Sequence, residues 1–429
     1  MISISVYYIS LIITLSYIMI KKRKFDLFTL SFICGIFYSS PLFFGTVYDP
    51  EVRMFVDIVA EVYIFYGLFF LFLCIGAIIV DKKYKNNYIL EVNFDIYFKV
   101  LALFVGLLLV IMFLKNPYFL FVAGEDKADV GQFGFIYSFF IWGTMILISL
   151  SVINNNKLQI FIAFSFVFIS LLIGSRSYMA ISLLMYVMIK LQREGNIRLI
   201  LQYKYIFYGL FLFIFLFVYK IIFKALRAFD LNTLTELLYD NSQYIYRVFQ
   251  GGEANLIMAN LNNAFQYYDK INSEYIINTC FKFIPFLSQE VAYVFNYKVE
   301  RFSNVLKDDF YSHINYGMGA NFWAELFYIG GWLLLFIGLC LYIYTLYVAI
   351  SLFYSKKAIR LFVFLFPSFM YMAFYIHRLE IGFLNYSLFI TIFYYFIFII
   401  MFQIILNKKF RYWVSFSIDR NDIYRRIIK

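Results

Sequence analysis

Apolar residues form long unbroken runs along most of this 429-residue chain, and short polar breaks separate the runs. Several runs reach the roughly 20 residues that an α-helix needs to cross a hydrocarbon core about 30 Å thick. They lack the in-and-out alternation of a transmembrane β-barrel. The pattern therefore predicts an all-α polytopic membrane protein with about eleven transmembrane helices. The predicted segments are 2–20, 25–45, 56–80, 97–115, 133–153, 158–173, 178–190, 203–223, 322–350, 361–376 and 383–406.

Basic residues cluster at the ends of these segments, and their positions predict the orientation of the chain in the membrane. The clusters lie at 21–24, 82–85, 356–360 and 408–411. With the amino terminus outside, an odd number of crossings places every cluster on the cytoplasmic side, which is the positive-inside arrangement. The carboxyl terminus is then also cytoplasmic.

One long polar stretch, 224–321, interrupts the apolar pattern before the ninth predicted helix. Connections longer than about 15 residues without regular structure are uncommon and usually functional. Thr233 and Glu236 have capping-box spacing, and 281–295 is apolar and aromatic. We therefore expect a partly helical external loop that lies on the bilayer or folds back over the helices, within a single membrane domain of residues 1–429. The alternative is a small independent external domain.

Composition excludes several classes of protein. A chain that is 63% hydrophobic and 15% charged is not an ordinary soluble globule. The net charge of +11 is spread over helix ends, so we expect no nucleic-acid partner. The four cysteines and two histidines have no metal-ligand spacing, and no phosphate-binding glycine loop is present. The sequence therefore predicts no metal and no cofactor.

Arg176 is the sharpest single candidate for chemistry. It lies in the segment 174–177, Gly-Ser-Arg-Ser, between two apolar runs that are barely long enough to cross a membrane. An ionisable residue at that depth is costly and is usually functional. A guanidinium beside a helix N-terminus makes a phosphate site. The alternative is an arginine that reaches the interface from a short loop.

Further cationic residues are predicted on the external side, against the positive-inside tendency. Lys220, Lys224 and Arg227 share one helix face, and Arg247 precedes a glycine pair in the insert. Their position makes them better functional candidates than the cytoplasmic clusters. The alternative is an ion pair with an acidic residue of the insert, namely Asp230, Asp240 or Glu253.

Two residues near the end of the insert have the chemistry of a general base. His313 precedes a glycine-rich segment, and Glu325 lies a turn into the next predicted helix. Either side chain has an acceptor atom for the proton of a sugar hydroxyl. The alternative for His313 is a simple polar contact. The second histidine belongs to the cluster His377, Arg378 and Glu380, which predicts either a helix-end network or a substrate contact.

Three short motifs carry a family resemblance: 174–177, the segment 317–325 that ends in Ala-Glu, and the Gly-Gly-Trp at 330–332. With one large loop in the second half of the chain, they resemble the bacterial O-antigen and capsule repeat-unit polymerases of the Wzy type. The related O-antigen ligases carry a loop histidine before an asparagine, which the segment 312–315 partly matches.

This resemblance implies a metal-independent glycosyltransferase of the GT-C type in lipopolysaccharide biosynthesis, in the bacterial inner membrane with a periplasmic amino terminus. It would move a growing glycan from undecaprenyl pyrophosphate to a second lipid-linked oligosaccharide repeat unit. Its partners would be these lipids, the bilayer and a chain-length regulator protein. Arg176 and Arg247 would bind the pyrophosphate, and Arg227 and Arg378 are the alternative candidates for that role. Glu325 or His313 would activate the acceptor.

Two other functions remain open at this point. A lipid-linked oligosaccharide flippase or transporter would also need cationic residues in a cavity, but predicts two related halves with short loops. The long asymmetric insert and the lack of an internal repeat favour the enzyme. An O-antigen ligase would share the chemistry and use a different acceptor.

Overall fold

The computed structural model describes residues 2–20, 23, 25–84, 93–117, 133–172, 176–194, 252–267, 273–284, 288–295, 299–311, 319–355 and 358–405. Within these ranges the chain forms α-helices, a 3-10 turn at Ser40–Phe43 and one two-stranded sheet, β1 Thr46–Asp49 and β2 Met54–Asp57. The first helices are α1 Ile2–Ile20, α2 Leu27–Tyr38, α3 Ala60–Tyr84, α4 Asp95–Lys115, α5 Gly134–Asn154, α6 Lys157–Leu172 and α7 Arg176–Glu194. The later helices are α8 Glu253–Gln266, α9 Ser273–Phe281, α10 Ser288–Val294, α11 Phe302–Phe310, α12 Phe322–Tyr354, α13 Ile359–Tyr375 and α14 Ile381–Ile405.

The chain is an α-helical membrane protein, as the apolar runs predict. Six described helices, α1, α3, α4, α5, α12 and α14, are long and apolar enough to cross a membrane. Four more, α2, α6, α7 and α13, are apolar but shorter. Together they match every predicted segment apart from 203–223, which lies outside the described residues. The count of eleven crossings therefore stays a prediction.

The second predicted helix, 25–45, is wrong beyond Tyr38. Asp26 begins α2 by accepting a hydrogen bond from the Thr29 backbone N–H at 3.0 Å. Pro41 follows the helix and opens the 3-10 turn. Proline has no N–H to donate and its ring clashes with a helical turn before it, so α2 ends early.

The start of the third predicted helix, 56–80, is also wrong, because β2 occupies its first residues. The two strands pair antiparallel, with Thr46 opposite Asp57 and Asp49 opposite Met54. Asp49 accepts a hydrogen bond from the Glu51 backbone N–H at 2.8 Å and so fixes the turn between the strands. We call the side of the helix bundle that carries this hairpin the hairpin end.

Helix α8, which belongs to the long insert, packs on the bundle at the hairpin end. Its side chain Asn255 bonds the backbone N–H and carbonyl of Tyr48, at 3.2 and 3.1 Å. Asn262 accepts from the Val59 N–H at 2.9 Å. Asparagine side chains that pair with backbone groups away from solvent satisfy both partners. The described part of α8 is thus tied to β1 and to the start of α3.

At the opposite end of the bundle, an ionic cluster surrounds the buried Arg23. Arg23 forms ion pairs with Asp26 at 2.6 Å and with Asp81 at 2.9 Å. Gln192 of α7 donates to the Phe25 carbonyl at 2.6 Å. The segments predicted on one side of the membrane therefore meet at one end, while the orientation of the bundle in a membrane stays a prediction.

Helix α12 is broken in its first third, where a continuous helix was predicted. Gly331 has φ 59° and ψ −151°, a backbone conformation that side-chain-bearing residues rarely adopt. Trp332 follows and packs against Phe265 of α8, with ring centroids 5.3 Å apart. The break separates a short segment that begins with Asn321 and carries Glu325 from the longer apolar helix.

Candidate functional site at the hairpin end

The short connector between α13 and α14, residues 376–380, is the centre of the hairpin end. Its Arg378 pairs with Glu253 of α8, Nη1 to Oε2, at 2.6 Å. Its Glu380 accepts, through Oε2, the backbone N–H of Phe302 in α11 at 2.9 Å. The connector therefore joins two separate helices of the insert to the transmembrane bundle.

A cavity of about 360 Å³ lies against this connector. Arg378 and Glu380 line it from the connector, Arg301 from the residue before α11, and Ser177 from the first turn of α7. Gly319 of the glycine-rich motif also lines it. Segments that the sequence analysis placed on one side of the membrane thus share one cavity.

Two cationic side chains border the cavity. The Arg301 and Arg378 side chains are exposed and come from different elements. Ser177, near the start of the described part of α7, adds a hydroxyl to the cavity wall. Tyr371, Tyr375 and Phe383 supply an aromatic part of the wall, and Glu380 adds a carboxylate. Such a mixture of apolar walls and a few charged groups is typical of ligand pockets.

The ion pair between Arg378 and Glu253 leaves the arginine accessible to a ligand. The two side chains are 44% and 37% exposed. Pairs with that much solvent contact contribute about 0–1 kcal/mol. Glu253 also accepts a hydrogen bond from the Tyr38 hydroxyl at 2.7 Å, so its carboxylate keeps a partner when Arg378 turns to an anion.

Glu325 is fully buried and is engaged on both oxygens. Its Oε1 accepts from the Tyr275 hydroxyl at 2.7 Å and pairs with Lys282 Nζ at 3.2 Å. Its Oε2 accepts from the Ile381 backbone N–H at 2.7 Å. In the described part of the chain, Glu325 is not among the residues that line the cavity. Its predicted role as the base stays a prediction, and its contacts tie α9, α12 and α14 together.

His377 is buried among aromatic rings next to Arg378. The Trp323 indole N–H donates to His377 Nδ1 at 3.2 Å. An indole nitrogen can only donate, so Nδ1 is unprotonated and the proton lies on Nε2. That N–H has no hydrogen-bond partner among the described residues. Burial lowers the pKa of His377 to about 3, so the ring is neutral at physiological pH.

Only some of the residues predicted from the sequence fall at this site. Arg378 lines the cavity. Arg176 precedes Ser177 of the cavity wall, and its side chain lies outside what the structure describes. Arg227, Arg247 and His313 all fall outside the described residues, so their roles stay predictions.

Sequence reasoning missed Arg301 and Lys282. Both are cationic residues of the insert, and the argument that singled out Arg247 applies equally to them. Neither stands next to a glycine pair or a helix break, so no motif drew attention to them. Glu380 was noted only as part of the helix-end cluster.

Among the described residues, no group of three or more histidine, cysteine or acidic side chains is placed to hold a metal ion. Comparison with protein-family models, with curated proteins and with solved structures finds nothing that matches this chain.

Proposed function

We propose that the protein is a metal-independent glycosyltransferase that polymerises lipid-linked oligosaccharide repeat units. In this proposal a growing glycan leaves undecaprenyl pyrophosphate and joins the terminal sugar of a second lipid-linked unit, on the periplasmic side of the inner membrane. The observation that carries the proposal is the cavity with Arg301 and Arg378 at the hairpin end of an apolar helix bundle.

The cavity suits the diphosphate part of such a substrate. Its volume of about 360 Å³ falls at the lower end of small-ligand pockets, which span about 300–1,000 Å³. That space accommodates a diphosphate with an adjoining sugar, while the lipid tail lies along the apolar helices. Guanidinium groups recognise phosphate oxygens with paired hydrogen bonds. Arg301 and Arg378 are therefore assigned to the diphosphate, with Arg176 and Arg247 as the further contacts that the sequence predicts.

The diphosphate leaving group is the part of the reaction that most needs stabilisation. Negative charge grows on the diphosphate oxygen as the sugar departs, and a fixed cation stabilises that charge more in the transition state than in the ground state. Removal of one such donor typically lowers kcat about 100- to 1,000-fold. No metal ion is required when arginines supply the positive charge.

The proposal is tested by glycan gels from a strain that lacks the gene. Loss of a polymerase leaves surface glycan capped with a single repeat unit. Complete loss of surface glycan would instead indicate a flippase or a ligase and would contradict the proposal.

Complementation with variants tests the role of the cavity. Arg378→Ala and Arg301→Ala are expected to restore only single-repeat product at normal protein level, because each removes a diphosphate contact. Arg360→Ala is the matched control, since this exposed arginine lies at the start of α13, at the opposite end of the bundle. Long glycan chains from both cavity variants would refute the assignment.

A further inference from the structure

Glu380 is the carboxylate that shares the cavity with the two arginines, whereas Glu325 is withdrawn from it. We propose that Glu380 takes the proton from the acceptor hydroxyl during glycan transfer. This inference rests on the proposed function and adds a catalytic residue to it. It assigns the proton transfer to a different side chain from the two that the sequence analysis selected.

Among the described residues, a hydrogen bond to one oxygen fixes the position of Glu380, and the other oxygen is left for chemistry. Its Oε2 accepts from the Phe302 N–H at 2.9 Å. Phe302 is the first residue of α11, and Arg301 directly precedes it as the N-cap. The same short segment thus orients the carboxylate and carries one of the arginines. A base and a leaving-group contact held by one backbone segment keep a constant separation, which transfer of a proton and departure of a leaving group both require.

The charges around Glu380 favour its role as a proton acceptor. Burial and the neighbouring Glu325 carboxylate raise the pKa of Glu380, while Lys282, Arg301 and the Phe302 N–H oppose that rise. Arg378 is two residues earlier in the same connector. A carboxylate with a raised pKa is a stronger base than a solvated one. A bound diphosphate would add negative charge beside it and would raise that pKa further.

The acceptor oxygen forms a bond to the anomeric carbon of the donor sugar and gives its proton to the Glu380 carboxylate. The bond between that carbon and the diphosphate oxygen breaks, and its electron pair stays on the diphosphate. Glu380 becomes neutral, and the diphosphate gains one negative charge that Arg301 and Arg378 stabilise. Release of the proton to water restores the carboxylate.

The competing role for Glu380 is purely structural, as a cap for the N-terminus of α11. Glu380→Gln separates the two roles, because the amide oxygen still accepts the Phe302 N–H but cannot take a proton. The assay uses protein in lipid nanodiscs and the lipid-linked repeat unit isolated from the deletion strain. We expect kcat to fall at least about 100-fold, within the range for loss of a general base. Affinity for undecaprenyl pyrophosphate itself should stay within about threefold.

Glu61→Gln is the matched control, since it removes an exposed carboxylate at the start of α3 near the hairpin. It should leave kcat unchanged. Wild-type kcat in Glu380→Gln would overturn the inference, and so would a fall in kcat accompanied by an equal loss of stability and lipid binding. If Glu380→Gln does not fold, the pH profile of Glu380→Asp decides. If residue 380 is the base, the midpoint of the pH profile of kcat should shift in Glu380→Asp. An unshifted midpoint refutes the inference.

The same experiment distinguishes this inference from the proposed function. Polymer formation by the wild type together with full activity of Glu380→Gln would overturn the inference alone. A folded wild-type protein that forms no polymer would contradict the proposed function, and the inference with it.

Discussion

Replacement of Lys282 by Met should destabilise the protein more than a substitution at an exposed position, because it leaves the buried Glu325 carboxylate without its cation. Lys282 Nζ lies 3.2 Å from Glu325 Oε1, and the two side chains are 5% and 0% exposed. Methionine has similar length and fills the same space without a charge. The Tyr275 hydroxyl and the Ile381 N–H remain as donors to the carboxylate, but no cation among the described residues pairs with it.

The expected loss is about 3–5 kcal/mol, the cost of removing one partner from a buried ion pair. Replacement of both partners, Lys282→Met with Glu325→Gln, removes both charges. The amide oxygen can still accept from the Ile381 N–H, and the amide N–H can donate to the Tyr275 hydroxyl. Neutral substitutes for a buried pair are often close to neutral in stability. The double variant should therefore be more stable than Lys282→Met, with a coupling energy of about 2–3 kcal/mol.

Unfolding in mixed detergent micelles, with SDS as the denaturant, measures all four members of this cycle. Tryptophan fluorescence reports the transition, because Trp323 lies two residues from Glu325 in the same buried segment. A Lys282→Met variant within about 1 kcal/mol of the wild type would refute the reasoning, since buried pairs lose about 3–5 kcal/mol when broken. A cycle without coupling would refute it as well.

Two further predictions concern stability. Gly331→Ala should cost about 1–3 kcal/mol, because Gly331 has φ 59°. Gly106→Ala in α4 is the matched control and should be neutral or stabilising, since the nearest atom to its new Cβ is Phe166 Cζ at 4.0 Å. Burial lowers the pKa of His377 to about 3, below the value near 6.5 of an unfolded chain, so the stability it contributes is present above pH 6.5 and lost as pH falls. Between pH 7 and pH 5 the loss should reach about 2 kcal/mol in the wild type and in His313→Gln, and should disappear in His377→Gln.

The apolar runs predicted most helices because burial in lipid requires continuous apolar sequence, and that requirement is local. The hairpin was missed for a different reason. Its strands have four residues each and lie next to apolar runs. Residues 46–55 are predicted as a loop, and only Val56 and Asp57 of β2 fall in the predicted helix 56–80. Its turn signal, Asp49 followed by Pro50, is visible in the sequence and could have revealed it.

The candidate site was predictable only in part. Arg378 and the segment 317–325 were singled out by their charge and their glycines, which are local signals. The burial of Glu325 was not predictable, because Lys282 and Tyr275 precede it by 43 and 50 residues. Contacts over such separations depend on how helices pack, and no periodicity in one sequence encodes them.

Reconstitution with defined lipids tests the central claim most directly. The purified protein in nanodiscs is given undecaprenyl pyrophosphate that carries a single repeat unit, and the glycan products are separated by length. We predict a ladder of products from the wild type without added metal or nucleotide sugar, and single units alone from Arg378→Ala. The absence of a ladder from folded wild-type protein would contradict the account, and an unchanged ladder from Arg378→Ala would contradict the role given to the cavity.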